Sequence, residues 1–183
     1  CVGAKETSGL DNIVIINSKT LCVPHRLVVN DAIEMRDQGK SFQEIVDMVQ
    51  SKCDTAISFL LPQDFDFLKR GGRLTPFAAT LGGFLKIQPI LTQTSDGTRL
   101  EKFGIGRNFG IAVNKVIDHL FEIGINDQYR FGVSHAFALE QAEQVVEKIK
   151  KKFNVATVEL EKLSCAFITQ GGPQCIAIQV IKK

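Results

Sequence analysis

The sequence predicts an α/β fold: a remnant of an N-terminal α/β domain with a parallel sheet, followed by a two-layer α/β domain with a largely antiparallel sheet. Segments with helical spacing alternate with short β-branched runs, which is typical of layered α/β proteins. The continuously apolar run at 12–18 predicts a central strand buried on both faces. The Ser-Asp-Gly turn at 95–97 predicts an antiparallel hairpin. Pro62 separates the two patterns, so we place the domain boundary there, between 1–62 and 63–183.

The first domain is predicted to alternate strands and helices. The sequence starts at Cys1 inside an apparent helix, and we expect an N-terminal piece of this domain to precede it. Ser41 and Glu44 have the spacing of a capping box, which predicts the start of a helix. Strands are predicted at 12–18 and 55–61, and helices at 28–36 and 41–49.

The second domain is predicted to begin with a short helix that Asp64 caps. A glycine-rich basic turn follows at 69–74, and Thr75 and Pro76 then have the pattern of a helix start. The helix that they open is strongly apolar. The remaining predicted elements are strands at 87–93, 99–103, 129–135, 155–160 and 174–181, and helices around 111–120 and 139–149.

Composition places the chain among globular proteins, because 183 residues with 44% hydrophobic side chains are enough to bury a sizeable core. No apolar run is long enough to span a membrane, and we expect a cytoplasmic protein. The net charge is +2, and one lysine cluster at 148–152 ends a predicted helix, so nucleic acid is not an expected partner. The five cysteines lack a metal-binding spacing, which predicts reduced thiols.

The sequence lacks the common motifs for catalysis and cofactor binding, so we expect neither an enzyme nor a cofactor. The GxG at 104–106 fails as a dinucleotide-binding pattern because Phe109 stands at the third glycine position. Cys22 and His25 are three residues apart, which leaves an enzyme with an unknown substrate as an alternative. His135 lies on the apolar face of a predicted strand and is expected to be a hydrogen-bonded core residue.

A basic glycine turn followed directly by an apolar helix suits the binding of an amphiphile. Gly71 and Gly72 offer backbone N–H groups and Arg73 offers a guanidinium, so these residues are expected to bind a carboxylate. The residues expected to line a channel for its hydrocarbon tail are Phe77, Leu81, Phe84 and Ile90. The alternative is a helix cap above an ordinary apolar core, as in a protein-interaction domain.

The same stretch resembles a known family. Lys-Arg-Gly-Gly-Arg-Leu at 69–74 and Leu-Gly-Gly-Phe-Leu-Lys-Ile-Gln-Pro-Ile-Leu at 81–91 are similar to the corresponding segments of the DegV family, and weaker similarity covers nearly the whole chain. Members of this family pair two α/β domains and hold a fatty acid between them. Some members carry the acyl chain for a fatty acid kinase. The resemblance therefore implies non-catalytic binding of a long-chain fatty acid in a tunnel between two domains, with a fatty acid kinase as a further partner.

The resemblance also implies that the late turn containing Gln170 and Gly172 belongs to the site. Gln170 stands where the family normally has histidine, and an amide donates a neutral hydrogen bond but supplies neither charge nor proton. Other departures from the family pattern are Asn17 in place of an aspartate, and Pro24 and Arg26 in place of two glycines. The family's early threonine and serine-rich carboxylate loop would precede Cys1, so the resemblance places the main head-group ligands before this residue.

Overall fold

The computed structural model describes residues 1–76 and 87–183, and a six-stranded sheet forms the centre of these parts of the chain. The strands are β1 (Ile57–Leu61), β2 (Gln88–Gln93), β3 (Leu100–Gly106), β4 (Tyr129–His135), β5 (Glu159–Lys162) and β6 (Ile176–Lys182). Their order across the sheet is β3-β2-β1-β6-β4-β5, so β3 and β5 are its edges. Neighbouring strands are antiparallel except for β4 and β5, which are parallel.

Side-chain caps determine where several helices begin. The helices are α1 (Val2–Ser8), α2 (Cys22–Asp37), α3 (Phe42–Cys53), α4 (Phe65–Arg70), α5 (Phe109–Glu122), α6 (Leu139–Phe153) and α7 (Cys165–Gly171). Ser41 and Glu44 form the predicted capping box at the start of α3. Asp64 and Asn108 each accept a backbone N–H in the first turn of α4 and α5. These bonds satisfy donors that a helix start otherwise leaves free.

One face of the sheet is covered by α5 and α6, and the main apolar core lies between these helices and the strands. Ala112, Val116 and Leu120 of α5 have helical spacing and are fully buried in this core. Phe59 of β1 and Ile178 of β6 meet them from the sheet. Because successive residues of a strand point to opposite faces, the neighbours of Phe59 and Ile178 point away from this core.

The opposite face of the sheet is covered in two places. α2 and α3 pack over β4 and β6 through Val23, Leu27 and Cys53. α4 packs over Leu91 of β2 through Leu68, and α7 packs against α4. The sheet therefore has helices on both faces, whereas the sequence predicted two layers for the second domain.

Two features of the first segment differ from the prediction. The predicted strand at 12–18 is wrong, because residues 13–21 have no regular secondary structure and no strand of the described chain pairs with them. Val14 and Ile15 are 48% and 37% exposed, since no sheet lies beside them to bury them. The strand predicted at 55–61 does form, as β1, but it pairs with β2 and β6 and so belongs to the same sheet as the strands after Pro62. The division of the chain into domains at 1–62 and 63–183 stays a prediction.

Other expectations about the fold are confirmed. The chain is an α/β protein with a largely antiparallel sheet, and β2 and β3 form the predicted hairpin. The predicted strand at 155–160 begins later, at Glu159, after Val155 has packed against the core. His135 is a buried, hydrogen-bonded residue, because its Nδ1 accepts the backbone N–H of Ala138 at 3.1 Å.

Both edges of the sheet carry charged side chains in defined contacts. On β5, Glu159 and Glu161 each pair with Arg26 of α2, and the Glu159 contact is 3.0 Å long. On β3, the carbonyl oxygen of Ile105 accepts from Lys115 Nζ of α5 at 2.7 Å. These contacts fix helices of opposite faces to the two edges of the sheet.

An ion cluster joins α2 and α3 to the sheet. Asp31 of α2 accepts from Arg130 of β4, at 2.9 Å between Nη1 and Oδ1, and from Lys52 of α3. None of the three side chains is more than 24% exposed. Burial raises the pKa of Asp31, but the hydrogen bonds and charges of Arg130 and Lys52 outweigh that effect, so its pKa is lowered.

This lowered pKa predicts a pH dependence of stability. A carboxyl whose pKa is lowered by folding stabilises the protein above its unfolded pKa of about 3.9, and the stabilisation is lost as the pH falls through the folded pKa. We expect Asp31→Asn to reduce the free energy of unfolding by about 1–3 kcal/mol at neutral pH. The difference from wild type should shrink below about pH 4. Urea unfolding across this pH range measures both effects.

Asp37→Asn is the matched control, because Asp37 ends the same helix and pairs with Arg36 while its side chain is 62% exposed. It should change the free energy of unfolding by less than about 0.5 kcal/mol. Equal losses in the two variants would contradict a special contribution from the cluster around Asp31. So would a loss in Asp31→Asn that stays constant as the solution is acidified.

Candidate functional site

A cavity lies on the face of the sheet opposite α5 and α6. Its floor consists of Ser58 and Leu60 of β1 and Ala177 and Gln179 of β6. The strand register pairs Ser58 with Gln179 and Leu60 with Ala177, so the four side chains are neighbours. The volume of the cavity is about 300 Å³, at the lower end of the range of about 300–1,000 Å³ that is common for small-molecule sites.

The cavity interior is mostly apolar. Side chains from the start of α2, from α4 and α7, and from the loops beside them form its walls. The apolar wall residues are Leu21, Leu68, Leu100, Leu163, Phe167 and Cys175. Such a lining suits a hydrocarbon better than a sugar or a nucleotide, because it offers few partners for hydroxyl and phosphate groups.

Two arginines make the rim of the cavity cationic. Arg73 and Arg99 both line it, and neither forms an ion pair with a residue in the described parts of the chain. The backbone brings them together, because the N–H of Leu100 donates to the Arg73 carbonyl at 2.8 Å. A guanidinium stays charged at physiological pH, so this rim favours an anionic group beside an apolar interior.

The glycine turn after α4 differs from the sequence prediction. The N–H of Gly71 donates to the carbonyl of Leu68 at 3.1 Å, and the N–H of Gly72 donates to that of Lys69 at 3.1 Å. Gly72 has a φ of 68°, which glycine adopts without strain. Both N–H groups therefore terminate α4 and are not free to bind a carboxylate, contrary to the prediction. Arg73 is the group that this turn presents to the cavity.

Close packing between α4 and α7 positions Gln170. A Cβ built on Gly71 would lie 3.6 Å from the carbonyl oxygen of Gln170, and one built on Gly172 would lie 3.2 Å from the ring of Phe67. Gln170 lines the cavity, and its Oε1 is buried without a hydrogen-bond partner among residues 1–76 and 87–183. Gly172 thus allows α7 to approach Phe67 of α4, and Gln170 and Arg73 line the cavity itself.

Of the predicted channel residues, only Ile90 belongs to the described chain, and the structure does not bring it to this cavity. Ile90 is fully buried in the core on the opposite face of the sheet. Phe77, Leu81 and Phe84 lie outside the described residues. The floor residues that sequence analysis missed are Ser58, Leu60, Ala177 and Gln179. In β6, Ala177 and Gln179 alternate with large apolar residues, and this alternation is the signal that could have revealed that half of the floor.

Cys22 and His25 do not form the thiolate and base that the enzyme alternative requires. They lie in a cleft beside the cavity, where His25 Nδ1 contacts Ser18 Oγ at 3.3 Å. Burial, followed by the charge of Glu161 and the neighbouring Cys175, raises the pKa of Cys22 to about 12. The thiol is therefore protonated at neutral pH and is a poor nucleophile.

The five cysteines are free thiols, as predicted. Within the described ranges, no group of three or more histidine, cysteine, aspartate and glutamate side chains is arranged to hold a metal ion. None of the helices in the same ranges combines the length and the apolarity that crossing a membrane requires.

Comparison with known sequences identifies the family. A family model described as "Uncharacterised protein, DegV family" matches residues 2–183. The chain belongs to the DegV family. A DegV domain-containing protein of Clostridium perfringens is 26% identical over 169 residues, which is 91% of this chain and 57% of that protein. This DegV chain therefore spans less than two thirds of the length of that relative.

Solved DegV structures share the fold. A fatty acid binding DegV family protein from Streptococcus agalactiae superposes with a TM-score of 0.89 at 22% identity, over 100% of this chain and 64% of that chain. A DegV family protein from Eubacterium eligens, solved loaded with heptadecanoic acid, has a TM-score of 0.84 at 21% identity, over 100% of this chain and 65% of that chain. At these identities the likeness establishes the DegV fold.

Proposed function

We propose that this chain forms part of a site that binds a long-chain fatty acid without catalysing a reaction. The observation that carries the proposal is an apolar cavity of about 300 Å³ with Arg73 and Arg99 at its rim. Each methylene buried there contributes about 0.8 kcal/mol, and a guanidinium binds a carboxylate through charged hydrogen bonds. The two solved relatives, one named for fatty acid binding and one loaded with heptadecanoic acid, support the same ligand class.

In this proposal, Gln170 adds a neutral donor beside the cationic rim. Its amide N–H donates to a carboxylate oxygen at any physiological pH, because an amide does not titrate. Ordering of the acyl chain and dehydration of the carboxylate offset part of the hydrocarbon contribution. Arg73 and Gln170 therefore decide whether an acid is preferred over a neutral lipid. The proposed channel is completed by Phe77, Leu81 and Phe84, with Gly71, Gly72 and Gly172 shaping the turns.

Further parts of the proposal are a tunnel between two domains, a cytoplasmic location and transfer of the bound acyl chain to a fatty acid kinase. Family membership supports these parts. An enzyme that uses Cys22 and His25 is disfavoured by the raised pKa of the thiol. A protein-interaction domain with an ordinary core is disfavoured by the cavity, because a plain core is close-packed and has few voids larger than a water molecule.

Arg73→Ala should weaken the binding of a long-chain fatty acid more than about tenfold, or about 1.4 kcal/mol, because the carboxylate loses a charged partner. Arg73→Lys should restore part of this loss, since an ammonium group lacks the forked geometry of a guanidinium. Displacement of a fluorescent fatty acid from the full gene product measures the affinity.

Arg70→Ala is the matched control, because Arg70 belongs to the same basic stretch but stacks on Phe67 and does not line the cavity. It should change the affinity less than about threefold. A fatty alcohol of equal length should bind the wild-type protein more weakly than the acid does. Its affinity should also fall less than that of the acid in Arg73→Ala. Equal losses for acid and alcohol would remove the carboxylate role of Arg73. A wild-type protein that binds no long-chain acid saturably would reject the proposed function itself.

A further inference from the structure

We propose that Gln179 is a latch that holds one wall of the cavity closed, and that a ligand enters and leaves when the hydrogen bond between Gln179 and Leu21 is released. Leu21 and Cys22 line this wall, and residues 17–22, which lead into α2, are called the wall segment. The identity of the ligand rests on the proposed function. The latch itself rests on the contacts of the wall segment.

Local structure does little to hold the wall segment in place. Residues 17–21 have no regular secondary structure, and no backbone-to-backbone hydrogen bond joins them to another element within 1–76 and 87–183. Lys19 and Cys22 have φ values of 48° and 56°, which are unfavourable for residues other than glycine. Two hydrogen bonds inside the segment, from Lys19 N–H to Asn17 Oδ1 at 3.2 Å and from Ser18 Oγ to the Thr20 carbonyl at 3.3 Å, support this conformation. Contacts with the rest of the protein do so as well.

The first of these contacts is made by Gln179 in the cavity floor. Its Nε2 donates to the carbonyl oxygen of Leu21 at 3.1 Å and to Ser58 Oγ at 3.0 Å. The residue is 1% exposed, and its Oε1 has no hydrogen-bond partner in the described parts of the chain. Burying an amide in an apolar floor costs free energy unless its polar atoms form hydrogen bonds. The bond to Leu21 satisfies a donor of this amide and joins the floor to the wall segment.

The second contact lies at the hairpin between β2 and β3. A Cβ built on Gly97 would lie 3.0 Å from the Cβ of Lys19, so the wall segment packs directly against the hairpin turn. Gly97, Leu21 and Cys22 all line the cavity. The wall segment thus runs from the hairpin at the rim to Gln179 at the centre of the sheet. Leu21 is 41% exposed, so this wall is also an outer surface. In this proposal, detachment from Gln179 widens the opening through which the ligand passes.

A latch of this kind affects rates more than affinity. A hydrogen bond of ordinary net strength changes the population of the detached state by about three- to tenfold. Entry and exit share the detached state, so weakening the latch raises the association and dissociation rates together. Their ratio, the dissociation constant, changes little. A loss of packing alone would raise the dissociation rate without raising the association rate.

Gln179→Met keeps the length of the side chain and removes the donor to Leu21. Stopped-flow mixing of the full gene product with cis-parinaric acid should show the association rate constant raised about three- to tenfold, and the dissociation rate constant raised as well. NMR relaxation dispersion of the wall-segment amides, measured without any ligand, should show the population of the detached state raised by a similar factor. An unchanged association rate would overturn the gating role, and an unchanged population of the detached state would overturn the latch.

Gln88→Met is the matched control. Gln88 is 7% exposed, and its Nε2 donates to the carbonyl of Pro62 at 2.7 Å, but it does not line the cavity. This variant loses an equivalent buried bond. Its association rate constant and the population of its detached wall segment should both stay within about twofold of wild type. If Gln179→Met does not fold, Ser58→Ala loosens the same amide and should shift both rates in the same direction. Absence of saturable cis-parinaric acid binding to wild type would overturn the proposed function, and relaxation dispersion of the wall segment would still decide the latch.

Discussion

Ala177→Phe should lower the affinity for a long-chain fatty acid more than about a hundredfold and leave the fold intact. Ala177 lies in the centre of the cavity floor and is 8% exposed. A benzyl group there takes the place of about four methylenes of ligand, which corresponds to about 3 kcal/mol of lost burial. Because the new ring fills an existing void, the melting temperature should stay constant or rise. Calorimetric titration and thermal unfolding measure the two effects.

Ala166→Phe provides the control for this experiment. Ala166 is exposed on α7, next to the cavity-lining Phe167, so an added ring there stays in solvent. Its affinity should remain within about threefold of wild type. The affinity for octanoic acid should fall much less than the affinity for stearic acid in Ala177→Phe, because a shorter tail fills less of the cavity. Full retention of stearic acid binding in Ala177→Phe would place the acyl chain elsewhere.

Gly132→Ala should reduce the free energy of unfolding by about 3 kcal/mol or more. A Cβ built on Gly132 of β4 would lie 2.5 Å from Val23 Cγ1 and 2.6 Å from Val23 Cβ. Rotation of the valine cannot relieve a contact with its own Cβ, so α2 has to move away from the sheet, and overpacking of this kind is destabilising. Val23 is fully buried and follows Cys22 directly, so the movement also displaces the wall segment. Denaturant unfolding measures the loss.

Gly104→Ala is the comparison, since a Cβ on this strand glycine would meet Ile90 Cδ1 at an ordinary 3.9 Å. It should change the free energy of unfolding by less than about 1 kcal/mol. In the background of Val23→Ala, Gly132→Ala should still be destabilising, because the Cβ of residue 23 remains in the way. A loss in Gly104→Ala as large as that in Gly132→Ala would indicate a general cost of removing glycine from the sheet.

Features that depend on neighbouring residues were predictable from the sequence. The capping box of Ser41 and Glu44, the cap at Asp64 and the β2–β3 hairpin all formed, because each depends on residues a few positions apart. The run at 12–18 did not form a strand, because a strand also requires a partner in space. Apolar composition predicts a tendency to be buried but does not supply the sheet that buries it.

The candidate site was predictable only where it depends on neighbouring residues. Arg73 was identified because it follows a local glycine turn. The use of the Gly71 and Gly72 N–H groups depends on where α4 ends, and sequence places helix ends only to within a few residues. The floor depends on the pairing of β1 with β6, where Ser58 and Gln179 are 121 positions apart. No local pattern specifies that register.

The charged edges of the sheet bear on how the protein behaves when it is concentrated. Ile105 and Leu160 are each 36% exposed on the two outer strands, which is the kind of surface that recruits a strand from another molecule. On β3, the carbonyl of Ile105 is already occupied by Lys115. On β5, a strand from another molecule would have to lie beside two glutamates that pair with Arg26. Aggregation by strand addition is therefore suppressed at both edges, and replacing Lys115 with an apolar residue would expose the longer of them.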